Sequence, residues 1–310
     1  MNVVICAIAK NENKYLYEWA EYHIGIGFSH IYLYDNNDID GERITLSLFK
    51  HLSDKVTIFN VRGESHIQKI VYQRCYQEND FDWCAFIDID EFITFSEQSS
   101  ITCIEDFLKD KSKYEGVHLN WMCFGDNGSV YAENRDVISR FKRPKRPFTF
   151  YYTYLNHSEN EHVKSIIKKG LCINWIWSDN DFTSNPHTPR GLNNICDAQG
   201  HLIPINTPFN SIDYSVAYIR HYTTKSIQEY AIKVSRQCAD CDNISFYNFP
   251  KFFRINKPTF LKLKWLKKNY PTVNIWTCYH EYIKYTIVNY HLPFRFFFRS
   301  LRNSNEYMGQ

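Results

Sequence analysis

The 310-residue chain has few structure-breaking residues, 11 Gly and 10 Pro, too few for a collagen-like or linker-rich protein. It has no apolar run approaching the ~20 residues that cross a bilayer. No charge of one sign dominates. The 36 Lys+Arg against 34 Asp+Glu leave a net charge of +2, which excludes a nucleic-acid coat or an acidic tail. Asn2–Ala9 is apolar but has no basic flank and no cleavage site, so no signal peptide is read there. The ten cysteines are scattered rather than laid out as a disulfide framework. Reduced thiols and a cytoplasmic location are therefore expected. No G-x-G-x-x-G follows the first apolar run, and there is no P-loop, so phosphate cradled on bare backbone is not expected.

What the chain does have is an ordinary 44% of hydrophobic residues and an unusual 23 Tyr, 23 Phe and 7 Trp. Such aromatic content fits either a heavily packed core or a surface that stacks on flat ligands. The length allows one large domain or two modest ones.

The first ninety residues alternate between two periodicities. Val3–Ala9, His30–Tyr34, Val56–Val61 and Trp83–Ile87 are short, β-branched or aromatic runs that predict buried strands. Between them, Tyr15–Ile24, Arg43–Leu52 and Ile67–Gln77 carry apolar residues at helical spacing, with Leu16, Trp19, Ala20 and His23 marking the first face. Strand–helix units in series predict an α/β fold on a parallel sheet. Ligands of such sheets bind beyond the carboxyl ends of the strands. Three polar clusters lie there: Lys10-Asn11-Glu12, Asp35-Asn36-Asn37 and Asp88-Ile89-Asp90.

Beyond Gly116 the pattern is less regular. Val117–Cys123 and His162–Lys168 predict strands, Ser226–Cys238 a helix, and Gly125–Gly128 and Asn180–Gly191 loops. Pro144 and Pro147 mark an exposed bend. Cys238 and Cys241 form a C-x-x-C with no second pair at zinc-ribbon spacing, a weak metal or redox signal. Residues 251–310 hold 11 Lys+Arg against 2 Asp+Glu, whereas the first 250 hold 25 against 32. This basic end, with Phe294-Arg295-Phe296-Phe297-Phe298-Arg299, fits either an anionic membrane surface or a helical appendage packed on the body.

Asp88-x-Asp90 is the sharpest chemical signal. Alternate residues of an extended segment face the same way, so both carboxylates can enter one crevice. Two close carboxylates repel unless a cation lies between them, and oxygen ligands suit Mg²⁺ or Mn²⁺ together with substrate phosphates. The alternative is a polar turn that caps the next helix.

The same residues carry a family resemblance. Lys10-Asn11-Glu12, Tyr15-Leu16, Glu18-Trp19, Tyr22-His23, Gly27, His30 and Tyr34-Asp35-Asn36 resemble the opening of family 92 and related family 2-like glycosyltransferases of the bacterial capsule or lipopolysaccharide type. Gln68, Tyr72, Trp83 and Ala85–Phe92 continue it, followed by Trp121, Phe124-Gly125, Gly128, Lys164-Ser165-Ile166, His187, His221-Tyr222 and Lys225-Ser226.

The resemblance implies a GT-A fold, Rossmann-like, with a mostly parallel central sheet flanked by helices. The catalytic domain would span about residues 1–240, with a nucleotide-sugar half (1–115) and an acceptor half (116–240). A basic, mainly helical extension would follow at 241–310. The implied reaction moves a sugar from a nucleotide-sugar, usually a UDP-sugar, to an oligosaccharide or lipid-linked glycan, with inversion and with Mn²⁺ or Mg²⁺. Lys10, Asn11, Glu12, Asp35, Gln68, Asp88, Lys164 and Lys225 would then bind the donor. Asp88 and Asp90 would hold the metal, completed by His187 or its rival His221. Asp126 and Glu91 are the two candidates for the base, and Trp121, Trp175 and Trp177 are candidate sugar platforms. The rival readings are a nucleotide-sugar hydrolase or nucleotidyltransferase on the same fold, and a non-catalytic carbohydrate-binding protein.

Overall fold

The structure is a computed structural model that describes residues 1–145, 159–176, 186–205, 207–236 and 248–290, with only the backbone of Arg236 and of residues 285–290. Pro147, Trp177, residues 180–185 of the expected loop, the Cys238/Cys241 pair and the tail from 291 lie outside the described residues.

Strand β1 (Val3–Ala9) is buried along almost its whole length, as a strand covered on both faces must be. Helix α1 (Asn13–Gly25) lays Leu16, Trp19, Ala20 and His23 inward, the face read from the spacing. Gly27, at φ 101°, turns the chain into β2 (His30–Asp35).

The expected helix over 43–52 is instead a pair of 3-10 turns over Leu46–Lys55, broken at Lys50 (φ 52°). Only Phe49 and Leu52 are buried there. Ile44 donates its backbone N–H to Asp35 Oδ2 at 3.0 Å rather than to a helical ladder.

Next come β3 (Val56–Asn60), α2 (Gln68–Glu78), β4 (Trp83–Phe86), β5 (Glu91–Phe95), α3 (Ile104–Lys109), β6 (Gly116–Cys123), α4 (Val137–Arg140), β7 (Val163–Lys168), β8 (Ile195–Cys196), β9 (Ala217–His221), α5 (Ile227–Arg236), α6 (Phe249–Ile255), α7 (Phe260–Asn269) and α8 (Ile275–Tyr290).

The sheet runs β3-β2-β1-β4-β7-β6-β9-β5, with β8 beside β6. Strands β3, β2, β1 and β4 are parallel. β7 inserts antiparallel between β4 and β6, and β9 runs parallel to β6. This is the expected α/β architecture with a mostly parallel central sheet. Its parallel half puts the ends of β1, β2 and β4 on one edge.

The dozen largest fully buried side chains among the described residues are all aromatic, Trp19 and Trp175 included. Many of the aromatic residues among the described ones are therefore core, and Trp175, packed against Tyr72 and Phe86, is one of them. A third apolar cluster joins α5 to α6, α7 and α8 through Tyr230, Phe252, Phe253 and Leu266. None of the helices among the described residues is long and apolar enough to cross a membrane.

Candidate active site

The ends of β1 and β2 are tied together by side-chain-to-backbone bonds. Asn11 takes φ 55°, a left-handed conformation that Asn tolerates where a dinucleotide fold would use Gly. Its N–H donates to Asn37 Oδ1 at 2.6 Å. Asp35 accepts from the N–H of Asn37 through Oδ1 and from that of Ile44 through Oδ2, both at 3.0 Å. Lys10 lies 3.5 Å from Asp38. Lys10, Asn11 and Asp35 thus shape one turn system, and the Asp35 carboxylate is occupied in holding it.

The end of β4 is different: its acids meet cations. Asp88 accepts from Gln68 Nε2 (2.9 Å) on one oxygen and from Lys164 Nζ (2.8 Å) on the other. Asp90 pairs with Lys233 of α5 and lies 3.7 Å from His221 Nε2. Lys225 Nζ is 3.9 Å from Glu12 Oε2 and 4.3 Å from the Tyr15 ring centroid. Gln68, Asp88, Lys164, Glu12, Lys225, Asp90 and His221 are therefore brought to this edge of the sheet. Lys233 joins them without any signal in the motif reading. It is carried there by α5, which begins two residues after Lys225.

Burial fixes the charges. It pushes the Asp90 carboxyl up, but Lys233, His221 and Lys225 outweigh it and hold Asp90 well below the usual range. Burial lowers His221 to about 4, against the pull of Asp90, so the imidazole is neutral at neutral pH. Burial would lower the Lys164 ammonium, but Asp88 and Glu91 raise it above its ordinary value.

Glu91 is fully buried, and burial pushes its carboxyl well up despite Lys164 at 3.6 Å. Its Oε2 accepts the Asp88 N–H at 2.9 Å. The carboxyl so braces the turn that carries Asp88 and Asp90.

β9 adds a further side chain to this edge. Its antiparallel register with β5 sets His221 opposite Glu91. Trp121 of β6 is ringed by three imidazoles, with centroids 4.1 Å from His221, 4.9 Å from His162 and 5.1 Å from His187. His187 and His221, the two histidines expected to compete for one place, both flank this indole. His187 also makes a 2.9 Å bond between Nδ1 and the Val163 carbonyl oxygen.

Asp126 lies deep in the loop after β6. Its N–H donates to Asn256 Oδ1 at 2.7 Å, and its carboxylate pairs with buried Lys262 of α7. Glu159, which the motif reading missed, precedes β7 and accepts the His162 N–H at its carbonyl (3.2 Å). Burial raises its carboxyl to about 7, against the pull of Lys251 and Arg254.

For a divalent cation, the donor set supplies an ionised carboxylate (Asp90) facing a neutral imidazole (His221), the protonation states that metal binding requires. Among the described residues no three His, Cys, Asp or Glu side chains converge as a closed cage. Asp90 and His221 supply two donors, and a Mg²⁺ or Mn²⁺ ion would have to take its other ligands from phosphate oxygens and water.

Solved structures similar to the chain include S. aureus TarS residues 1–349 in complex with UDP-GlcNAc, at 12% identity and a TM-score of 0.39, covering 93% of this chain and 73% of that one. Among curated proteins, a family 92 glycosyltransferase protein of Arabidopsis thaliana is 28% identical over 239 residues, which is 76% of this chain. One of Oryza sativa subsp. japonica is 28% identical over 177 residues, or 54% of this chain. The match covers 37% of the Arabidopsis protein and 27% of the rice protein, so the chain spans about a third of the length of these relatives. The model of glycosyltransferase family 92 matches residues 2–264, most of the chain, and the chain belongs to that family.

Proposed function

We propose that the chain transfers a sugar from a nucleotide-sugar, a UDP-sugar, to a hydroxyl of a glycan acceptor, oligosaccharide or lipid-linked, in surface polysaccharide synthesis. The observation that carries this reading is the pairing of Asp88 with Lys164 and of Asp90 with Lys233 and His221 at the carboxyl edge of the sheet. Buried ammonium groups held by carboxylates form a ready counter-charge for a diphosphate.

The acceptor oxygen attacks the anomeric carbon, the bond to the diphosphate breaks, and the configuration inverts. Lys164, Lys225 and Lys233 would neutralise the charge that develops on the departing diphosphate. Mn²⁺ or Mg²⁺, held by Asp90 and His221 with Asp88 beside them, would supply Lewis-acid stabilisation of the same leaving group. Gln68 and Tyr72 fix the Asp88 carboxylate from behind. The Trp121 indole, flanked by the imidazoles of His162, His187 and His221, would offer a face for a sugar.

The acceptor proton needs a base with a pKa near the working pH. Glu159 is the candidate: burial raises its carboxyl to about 7, and its backbone carbonyl holds His162, which stacks on Trp121. Asp126 is instead tied to Lys262 in an ion pair. Asp126→Asn is therefore expected to keep turnover within about tenfold, whereas Glu159→Gln is expected to lose about a hundredfold, with the acidic limb of the kcat profile flattened. Initial rates from pH 5 to 9 measure both. A hundredfold loss in Asp126→Asn would return the base to that loop.

Donor class is tested by thermal unfolding with UDP, GDP, CMP and dTDP, each with and without Mn²⁺. A ligand at about 100 times its Kd adds about 2.7 kcal/mol to the folded state. The expected result is an upward shift with UDP that is larger with Mn²⁺. No shift with any nucleotide would leave a carbohydrate-binding protein as the better reading, and sugar release without an acceptor would identify a hydrolase.

A further inference from the structure

α7 and α8 are apolar on two sides. Their inner sides supply Leu263, Leu266 and Cys278 to the cluster shared with α6. Their outer sides leave Phe260 75%, Leu261 64%, Trp276 76% and Ile283 52% exposed. On α7, Phe260 and Leu261 are followed by exposed Lys264 and Lys268; on α8, Trp276 is followed by His280, Ile283 and Lys284. These are the i, i+4, i+7 or i+8 positions of one helical face. A helix with a single buried stripe has no need of a second one in solvent.

We propose that the outer sides of α7 and of α8 dock on an anionic lipid surface. The charge selects the occupant. Residues 251–290 hold eight Lys+Arg and one acid, Glu281. Glu281 is taken by Arg254 at 2.9 Å, and Lys262 is turned inward to Asp126. What faces solvent on these helices and just before them is Lys257, Lys264, Lys267, Lys268 and Lys284. A second copy of the same face would set lysine against lysine. An anionic leaflet takes up the aromatic side chains at its interface and attracts each nearby lysine. The face is distinct from residues 294–299, to which composition alone points. It stands independently of the sugar-transfer reading, and it would hold the chain beside a lipid-linked acceptor.

The test is flotation of the full chain with vesicles of phosphatidylcholine alone and with about one third phosphatidylglycerol, at low and high salt. The full chain is expected to float with the anionic vesicles and to be released by salt. Phe260→Ser/Leu261→Ser/Trp276→Ser and Lys264→Glu/Lys267→Glu/Lys268→Glu are each expected to weaken binding more than about tenfold. All six positions are solvent-facing or half-exposed, so an unchanged melting temperature and unchanged UDP binding in solution verify the fold. Absence of vesicle binding, equal binding to neutral vesicles, or undiminished binding by both variants overturns the proposal. A concentration-dependent dimer that the apolar variant abolishes, without vesicle binding, would assign the face to a second copy instead.

Discussion

Asp90→Asn is expected to lower sugar transfer by about a thousandfold, the scale of losing one preorganised charge in a site excluded from water. The substitution keeps the volume and removes the anion that holds Lys233 and faces His221. It also leaves Lys233 buried without its carboxylate, which by itself destabilises the fold. Asp90→Asn/Lys233→Met separates the two effects. The double variant should regain most of the lost melting temperature and none of the turnover, because removing the stranded ammonium relieves the buried charge but restores no donor contact. Asp88→Asn should cost less, about tenfold, since its side chain is 35% exposed and Lys164 keeps Glu91 at 3.6 Å. Initial rates with a UDP-sugar, alongside thermal unfolding, read out all three. Wild-type turnover in Asp90→Asn would place the donor's diphosphate elsewhere.

The largest stability effect is expected away from the chemistry, at Glu229. This carboxylate joins three elements. It takes both terminal nitrogens of Arg140 (2.9 and 2.7 Å), the Ser226 hydroxyl (2.6 Å) and the Tyr15 hydroxyl (2.8 Å). Glu229→Ala strands a guanidinium that is 2% exposed, at a cost of about 3–5 kcal/mol. Arg140→Met/Glu229→Leu should recover most of that loss, because two apolar side chains leave no charge behind. Urea denaturation of the single and double variants decides it; equal losses in both would show that packing, not charge, dominates.

The same group sets an acid limit. Burial raises the Glu229 carboxyl, but Arg140, Ser226 and Tyr15 bring it down to about 2 from an ordinary 4.5. Above pH 4.5 both folded and unfolded chains carry it ionised, and its contribution is complete. As pH falls from 4.5 toward 2, the unfolded chain takes up the proton first, and roughly 3 kcal/mol of stability is lost. His221 acts earlier in the same direction. Its folded value of about 4 lies below the ordinary 6.5, so the unfolded chain is protonated first between those values. The melting temperature should therefore decline from about pH 6.5 downward.

Local sequence determined the parallel half of the sheet. Strands covered on both faces read as unbroken apolar runs, and the helices between them show one apolar stripe. That order alone placed Lys10, Asp35, Asp88 and Asp90 at one edge. The segment over 46–55 escaped because a helical spacing of apolar residues does not report that Asp35 claims the Ile44 N–H.

What only the tertiary structure decided are the partners. β9 shows no marked periodicity, yet its register with β5 sets His221 opposite Glu91. Lys233 reaches Asp90 across 143 residues, Lys262 reaches Asp126 from the C-terminal helices, and Arg140 reaches Glu229. Each is a pairing between buried charges. Its energy depends on a low-dielectric site that exists only once the chain has closed around it. Residue type shows that such groups need partners; only the folded chain shows which ones they have.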